Sequence, residues 1–421
     1  MKLTTFEIKF DNPQGVFDAG SCVSGQVVLC LAKPMKMRSL KLHFFGEGKS
    51  HWVQKRGKKK VNYRGQETYI HSFMTLFTSE NQGSSSEHPA GNHAYPFSLQ
   101  LLDILPSSFE GSRGHVRYYC KATIDRPWKF DSHVKRAFSL IHHLDLNKVP
   151  TAPIPIDART SEDVEGCCTS AGTFYVELSL NKTGYVPGEP IVYDIRIDNQ
   201  TDYRITDILL ELVQTATYKG ISDSFMSSGN PKLHPKTISF DLFRVMDSNI
   251  KQRTTETIRR ANVIPSVPPS FLEGCDIIDI QYNVKLKVNC NGTKAKITKS
   301  IIVGTMPLRE PTFQTPLAPS APATDSPTAP ITLQPQSINV QFNPEPVPPS
   351  YEEASAPPPS YSECVYGRTA IRDANDDDHT TGDVTWAPTY PYYDWSTMPN
   401  RGRHPEVSAA GPPQYGYDDD D

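Results

Sequence analysis

Alternating polar and apolar side chains dominate about the first 300 residues of the chain. Runs such as TFEIKF, GQVVLCL, FYVELSL and AKITKSIIV follow this period of two or are rich in β-branched and aromatic residues, and clusters of Gly, Pro, Asn and Asp separate them. No stretch keeps a helical period over three turns. Many short strands broken by turns are typical of β-sandwiches, and this part of the chain is too long for one sandwich. The pattern therefore predicts an all-β fold with more than one lobe.

Two landmarks occur twice along the chain in the same order. The turn GVFDAG recurs as TGYVPG before a strand, and the segment PSSFEG recurs as PSFLEG before another. An internal repeat of this kind predicts two copies of one immunoglobulin-like β-sandwich, which we place at residues 1–148 and 170–305. The prolines of VPTAPIPI open the stretch 149–169 between them, which we predict to be a stiff, extended linker.

Composition divides the chain near residue 303. The last 118 residues contain 21 of the 37 prolines and carry 5 basic and 17 acidic side chains, against 38 and 30 in the part before them. An acidic, Pro-rich stretch with few aliphatic side chains cannot offset the entropy of ordering by burial. We therefore predict a disordered tail over residues 306–421, in which Asp376–Asp378 only keeps the chain solvated.

Three segments of this tail share the pattern Pro-Pro-x-Tyr (PPxY). Two adjacent prolines restrict the backbone and remove hydrogen-bond donors, so each segment is already close to a polyproline II helix. WW domains bind such ligands in an aromatic-lined groove, and the tyrosine adds an aromatic anchor with a hydroxyl group. Composition alone gives only about 0.3 matches in a tail of this length. The predicted WW-binding residues are Pro348, Pro349, Tyr351, Pro358, Pro359, Tyr361, Pro412, Pro413 and Tyr415.

A second short pattern, P-[ST]-A-P, occurs twice before the PPxY motifs. It resembles the late-domain tetrapeptide that recruits the ESCRT budding and sorting machinery, although local enrichment in Ala and Pro makes a chance match easier. These motifs give an alternative function, a scaffold for ESCRT-dependent vesicle budding. The candidate ESCRT-binding residues are Pro319, Ser320, Ala321, Pro322, Pro327, Thr328, Ala329 and Pro330.

A basic run lies at a predicted hairpin tip after HFFGEGKSHWVQ. It contributes much of the excess of basic side chains in residues 1–150, which carry 21 basic and 12 acidic groups. The run is either a solvated loop or a contact with anionic lipid headgroups or phosphorylated receptor tails. Nucleic acid is disfavoured, because no aromatic platform or known binding module accompanies the run. The candidate residues are Lys55, Arg56, Lys58, Lys59, Lys60 and Arg64.

Motifs for catalysis, phosphate binding and metal binding are absent from the sequence. We therefore expect no enzyme activity, no cofactor and no metal site, with a β-sandwich enzyme or ligand carrier as the weaker alternative, since a catalytic group assembled from distant loops leaves no local motif. The eight cysteines show no C-x-x-C and fit free thiols better than disulfides or zinc ligands. No signal peptide or membrane span is recognisable, so we expect a cytoplasmic protein.

Long strings in both predicted lobes resemble the arrestin domain-containing proteins, the α-arrestins. They are YPFSLQLL and PSSFEGSRGHVRYYCKATIDRPWKFD in the first lobe, and TGYVPGEPIV and VPPSFLEGCDIIDIQYNVKLKV in the second. The resemblance implies two arrestin-type β-sandwich lobes. It also implies an adaptor that joins membrane receptors or transporters to WW-containing HECT ubiquitin ligases, promoting ubiquitination, endocytosis and endosomal sorting, at the plasma membrane and endosomes.

The distribution of lysines fits this expectation. No lysine follows Lys299, so a ubiquitin ligase bound to the tail finds no acceptor there. It has to modify the folded lobes or a third protein that the lobes hold, which is the geometry of an adaptor.

Overall fold

The computed structural model describes residues 2–79, 86–166, 170–223, 233–247, 249–309, 368–372, 376–383 and 385–395. Within these ranges the chain is built almost entirely from β-strands. The helical elements of the described ranges are two single 3₁₀ turns, Leu146–Lys148 and Ser270–Leu272. The predicted all-β class therefore holds.

The first lobe is a sandwich of two sheets. One sheet has the strand order β1-β3-β8, and the facing sheet has the order β6-β5-β10-β11-β2. The alternation seen in the sequence explains the packing, because Val23, Val27 and Leu29 of β3 are fully buried between the sheets. The strands are β1 (Leu3–Phe10), β2 (Val16–Asp18), β3 (Cys22–Leu31), β4 (Met35–Met37), β5 (Ser39–Arg56), β6 (Lys59–Thr78), β7 (Ser86–His88), β8 (Gly91–Gln100), β9 (Phe109–Gly111), β10 (Gly114–Asp125) and β11 (Ser132–Ile141).

The second lobe is a sandwich of the same kind. A sheet of order β12-β13-β15-β18 faces one of order β14-β20-β19-β16, and β17 also pairs with β16. The strands are β12 (Ile156–Glu165), β13 (Ser170–Leu180), β14 (Gly184–Tyr185), β15 (Pro190–Asn199), β16 (Ile205–Ser222), β17 (Leu233–Asp247), β18 (Thr254–Val263), β19 (Ile278–Cys290) and β20 (Thr293–Val303).

The two lobes share details that the internal repeat predicted. In the first lobe the Tyr118 hydroxyl donates a hydrogen bond to the carbonyl of Pro106 at 2.7 Å, and in the second the Tyr282 hydroxyl donates to the carbonyl of Pro268 at 2.6 Å. The two GV/GY turns form equivalent short parallel strands, β2 on β11 and β14 on β20. The repeated landmarks of the sequence therefore mark repeated structure.

A short strand pairing joins the lobes into one continuous sheet. Tyr63 and Arg64 of β6 pair with Ser222 and Ile221 of β16, so the facing sheets of both lobes belong to a single 12-stranded sheet, which also includes β9 and one short strand from the tail. The Trp52 ring stacks on the Tyr63 ring at this joint, with a centroid distance of 5.1 Å. The long strands β5, β6 and β16 thus carry backbone hydrogen bonding from one lobe into the other.

The linker between the lobes is shorter than the predicted 149–169. Ile156–Glu165 forms β12, which pairs antiparallel with β13 along most of its length. In β12 the side chains are exposed or half-buried except for Val164, so this edge strand needs few apolar residues in its sequence IDARTSEDVE. Its pattern therefore resembled a loop, although its backbone is fully part of the second lobe.

Part of the tail is packed on the lobes, which departs from the predicted disorder. We call the described residues 368–372, 376–383 and 385–395 the tail strap. It contains β21 (Thr369–Ala370), β22 (Thr380–Gly382) and β23 (Thr385–Trp386), and β22 pairs parallel with β11. The prediction that Asp376 only solvates the tail is wrong, because its side chain is 1% exposed and forms two ion pairs with the first lobe.

Candidate functional site

The basic run lies at the turn between β5 and β6. Gly57 has a φ of 62°, a left-handed conformation that glycine adopts without strain. Lys55 lies directly opposite Lys60, and Arg56 lies opposite Lys59, so like charges face each other across the hairpin. Such pairs destabilise a hairpin, and all four side chains are exposed. This tip, residues 55–60, therefore concentrates positive charge at an exposed turn, and one of its groups, the guanidinium of Arg56, lies 5.8 Å from the centre of the Tyr63 ring.

Arg64 does not belong to this tip. It lies on β6 at the joint between the lobes, where its backbone pairs with Ile221. Its guanidinium group is 3.9 Å from the carboxylate of Asp223. The structure therefore separates Arg64 from the other five candidate residues.

A second charged site lies on the outer face of the first lobe. Because Leu42 and Phe44 of β5 point into the core, their neighbours His43 and Phe45 point outward, and the register carries this face across four strands. Two rows of side chains cross β6, β5, β10 and β11 in that order: Phe73, His43, Lys121 and Lys135 in one row, and His71, Phe45, Tyr119 and Ala137 in the other.

The tail strap covers the half of this face that lies on β10 and β11. The Asp376 carboxylate accepts hydrogen bonds from Lys121 at 2.8 Å and from Lys135. Lys135 is 2% exposed, and its ammonium group also lies 4.2 Å from the centre of the Tyr119 ring. Two buried ammonium groups need a buried anion, since an unpaired charge in the interior is very costly. Asp376 supplies this anion from a part of the chain far away in sequence.

The other end of the strap contacts both lobes. The Tyr390 hydroxyl donates to the carbonyl of Ser108 in the first lobe at 2.8 Å, and its side chain is 1% exposed. The Tyr393 hydroxyl donates to the carbonyl of Thr305 at 2.7 Å, and its backbone N–H donates to Pro187 of the second lobe at 3.1 Å. The strap therefore runs along β11 from the charged site to a place where it forms hydrogen bonds with both lobes.

Two titratable groups next to the strap have shifted pKa values. Burial raises the pKa of Glu110, although Arg117 donates a 2.8 Å hydrogen bond to its carboxylate. Burial, followed by the positive charges of Arg117 and Lys49, lowers the pKa of His115 to about 3. Arg117 also reaches the hydroxyl of Thr369 in the strap at 3.4 Å. No sequence motif pointed to this cluster: Glu110, His115 and Arg117 lie on the β9–β10 hairpin, but Lys49 and Thr369 come from segments far away in sequence.

The predicted tail motifs lie outside the described residues. This holds for the three PPxY segments and for both P-[ST]-A-P segments. Among the residues that the structure does describe, no group of three or more His, Cys, Asp or Glu side chains could hold a metal ion. No helix in that part of the chain is long and apolar enough to cross a membrane.

Both β-sandwich lobes match known families of domains. Residues 6–147 match the family described as arrestin (or S-antigen), N-terminal domain. Residues 170–308 match the family described as arrestin (or S-antigen), C-terminal domain. The prediction of two arrestin-type lobes is thereby confirmed.

Relatives of known name identify the protein family more closely than the two domain matches do. Arrestin domain-containing protein 17 of Caenorhabditis elegans is 33% identical over 316 residues, which cover 73% of this chain and 72% of the relative. Arrestin domain-containing protein 4 of Mus musculus is 27% identical over 308 residues, covering 70% of each chain. Arrestin domain-containing protein 1 of Mus musculus is 26% identical over 332 residues, covering 77% of this chain and 69% of the relative. The chain belongs to the arrestin domain-containing family, which supports a general role as a trafficking adaptor.

Proposed function

We propose that this protein is an adaptor that recruits WW-containing HECT ubiquitin ligases through its tail to membrane receptors or transporters held by its lobes. The bound cargo is then ubiquitinated, internalised and sorted through endosomes, with the adaptor peripheral at the plasma membrane and endosomes. The observation that carries the proposal is the presence of three PPxY motifs on a tail without lysine, behind two arrestin-type lobes.

The spacing of the motifs favours ligases with several WW domains. Tyr351 and Tyr361 are close in sequence, and a flexible chain of that length has a root-mean-square end-to-end distance of about 18 Å. Tyr415 follows much later in the chain, and the tail strap lies between it and the second motif. Linked motifs of this kind raise the effective concentration of each other, so individually weak sites bind well together.

The alternative function, ESCRT-dependent budding, rests on two P-[ST]-A-P segments in a stretch rich in Ala and Pro. The PPxY motifs exceed their chance frequency about tenfold, so they carry the proposal instead. The exposed basic tip, residues 55–60, supports a contact with an anionic membrane surface, which would hold the adaptor close to its cargo.

Replacing Tyr351, Tyr361 and Tyr415 together by Ala is expected to abolish capture of a WW-containing HECT ligase by the full chain. Each single replacement costs less, since two motifs keep part of the avidity. The measurement is a titration of the ligase's tandem WW domains by calorimetry. The control is Tyr366→Ala with Tyr417→Ala, which removes two tail tyrosines outside the motifs. Undiminished binding by the triple variant would refute the proposal.

A further inference from the structure

An aromatic strip lies beside the tail strap on the outer face of the first lobe. We use this name for His43, Phe45, His71 and Phe73 of β5 and β6. The His43 ring stacks on the Phe73 ring with a centroid distance of 4.1 Å and an interplanar angle of 7°, and the His71 ring meets Phe73 edge-on at 5.2 Å. Phe73 is 63% exposed, so the strip presents ring surface to water.

The strip continues an aromatic surface that the chain's own tail already covers. The Phe45 ring lies 5.2 Å from the Tyr119 ring. Ile371 and Trp386 of the strap are buried against Tyr119 and Ala137, and Phe45 packs at the edge of this cluster. One half of the surface therefore binds apolar tail residues, and the half beside it presents the exposed Phe73 ring.

In the sequence, a PPxY motif closely precedes the tail strap. The strap begins at Arg368, and Thr369 contacts Arg117 in the row next to Tyr119. Only the short segment 362–367 separates Arg368 from Tyr361. A segment of this length reaches up to about 20 Å, and the strip lies one to two strand spacings, about 5–10 Å, to the side. The second motif is therefore close enough to lie on the strip.

We propose that the second PPxY motif, with Pro358, Pro359 and Tyr361, docks on the aromatic strip of the same chain. Proline rings pack on aromatic rings in WW grooves, and a polyproline II segment loses little entropy when it docks. The other two motifs are less suited, because Tyr351 lies further from the start of the strap and Tyr415 lies beyond its other end. The closest motif has the highest effective concentration at the strip.

This docking masks one ligase-binding motif. A WW groove and the strip compete for the same proline rings, so only the undocked fraction of the chain binds the ligase and the apparent dissociation constant rises accordingly. The inference rests on the proposed function for this consequence, since it assigns a built-in competitor to one of the WW-binding motifs. The docking itself is a separate property, and it is tested without any ligase.

A photo-crosslinker at the strip tests the docking directly. With p-benzoylphenylalanine in place of Phe73, we expect irradiation of the full chain to give an intrachain cross-link to residues 354–366, identified by mass spectrometry. Replacing Pro358, Pro359 and Tyr361 by Ala removes that cross-link. Cross-links that join two copies of the chain, or that reach only other segments, would overturn the proposal, and so would the absence of any cross-link to 354–366.

A WW titration tests the masking. In a chain with Tyr351→Ala and Tyr415→Ala, only the second motif binds, and Phe73→Thr is expected to tighten binding of a single WW domain about threefold to tenfold. Thr75→Ala, an exposed change on the same face of β6, leaves the affinity unchanged. A free peptide of residues 354–366 should bind as tightly as the Phe73→Thr chain.

The outcomes separate the two proposals. If the peptide, the full chain and the Phe73→Thr variant all bind the WW domain with one affinity, the masking is wrong and the proposed function stands. If the peptide does not bind WW domains while the cross-link forms, ligase recruitment through this motif is wrong and the docking stands.

Discussion

His115 shows how one residue can make the stability of the first lobe depend on pH. Its pKa is lowered to about 3 in the folded protein, first by burial and then by the charges of Arg117 and Lys49. An unfolded chain has its ordinary value of about 6.5. Between these two values the unfolded state binds more protons, so stability is complete above about pH 6.5 and decreases as the pH falls.

Replacing His115 by Gln is expected to weaken this pH dependence. Acidification from pH 7 to pH 5 should cost the wild type up to about 2 kcal/mol at this residue, and the variant should lose less. Urea unfolding at both pH values measures the difference, with the exposed His51→Gln as the matched control. An equal loss of stability in the wild type and the His115→Gln variant would contradict the assignment.

At the scale of single residues, the sequence indicates which side chains are buried, but it does not indicate which charged groups form ion pairs. The run GQVVLCL was predicted to be a strand, and its residues Val27 and Leu29 lie on one face and are buried, because the period of two decides this locally. The sequence did not reveal the burial of Asp376, which depends on Lys121 and Lys135 from another segment. Which charged groups pair depends on the tertiary structure, and the alternation of polar and apolar residues contains no information about it.

Among the secondary-structure elements, the β5–β6 hairpin most clearly carries charges that lower its own stability. Its four cross-strand residues, Lys55, Arg56, Lys59 and Lys60, repel one another at the tip. A membrane surface with anionic lipids would relieve this repulsion, and each basic group near such a surface contributes about 1 kcal/mol. The tip is therefore the element through which we expect the first lobe to contact the membrane.

Replacing Lys55, Lys58, Lys59 and Lys60 by Gln is expected to weaken binding to phosphatidylserine vesicles by about tenfold or more, without lowering the thermal midpoint, because Arg56 and its contact with the Tyr63 ring are kept. Vesicle co-sedimentation at low and high salt measures the effect, which should shrink as salt rises. The control neutralises four exposed lysines of the second lobe, which are Lys251, Lys294, Lys296 and Lys299. If both sets weaken binding equally, net charge rather than the tip is responsible.

Strands with a repeated apolar face were predictable from the sequence, whereas β12 and the short strands of the strap were not. The core strands of each lobe carry repeated apolar positions, such as the buried Ile278 and Ile280 of β19. In β12 only Ile156, Ala158 and Val164 are apolar, so no period stands out. The strap strands are very short and lie between prolines and acidic residues, a composition that local patterns associate with disorder.

At the scale of the whole molecule, the contacts that hold the strap include one buried ion-pair site and two buried tyrosines, in addition to the pairing of β22 with β11 and the burial of Ile371 and Trp386. Asp376 forms ion pairs with Lys121 and Lys135, and the hydroxyls of Tyr390 and Tyr393 donate hydrogen bonds to the carbonyls of Ser108 in the first lobe and Thr305 at the end of the second. Removing one partner of a buried pair costs about 3–5 kcal/mol because the other charge stays buried. Release of the strap offers a way to avoid this cost, since both lysines then reach water.

Asp376→Asn is therefore expected to release the strap rather than unfold the lobes. Tryptic cleavage after Arg372, followed by mass spectrometry, should become at least about tenfold faster, since about 1.4 kcal/mol already changes the open fraction tenfold. The matched control is Asp378→Asn, because Asp378 is exposed in the same segment. Cleavage of the Asp376→Asn variant at the wild-type rate would show that the ion pairs do not hold the strap.

The strap also changes the topology of the tail. Arg309 is held at the end of the second lobe by a 2.8 Å hydrogen bond from its N–H to the side chain of Asn147, and the chain is fixed again from Arg368. The segment 310–367 is thus anchored at both ends, and four of the five short motifs lie on this closed loop. A partner bound there can move at most half the contour length from the lobes, about 100 Å. A single cut in the loop would leave each half attached to the lobes at one end, so a partner bound there could then move up to the full length of its half from the lobes.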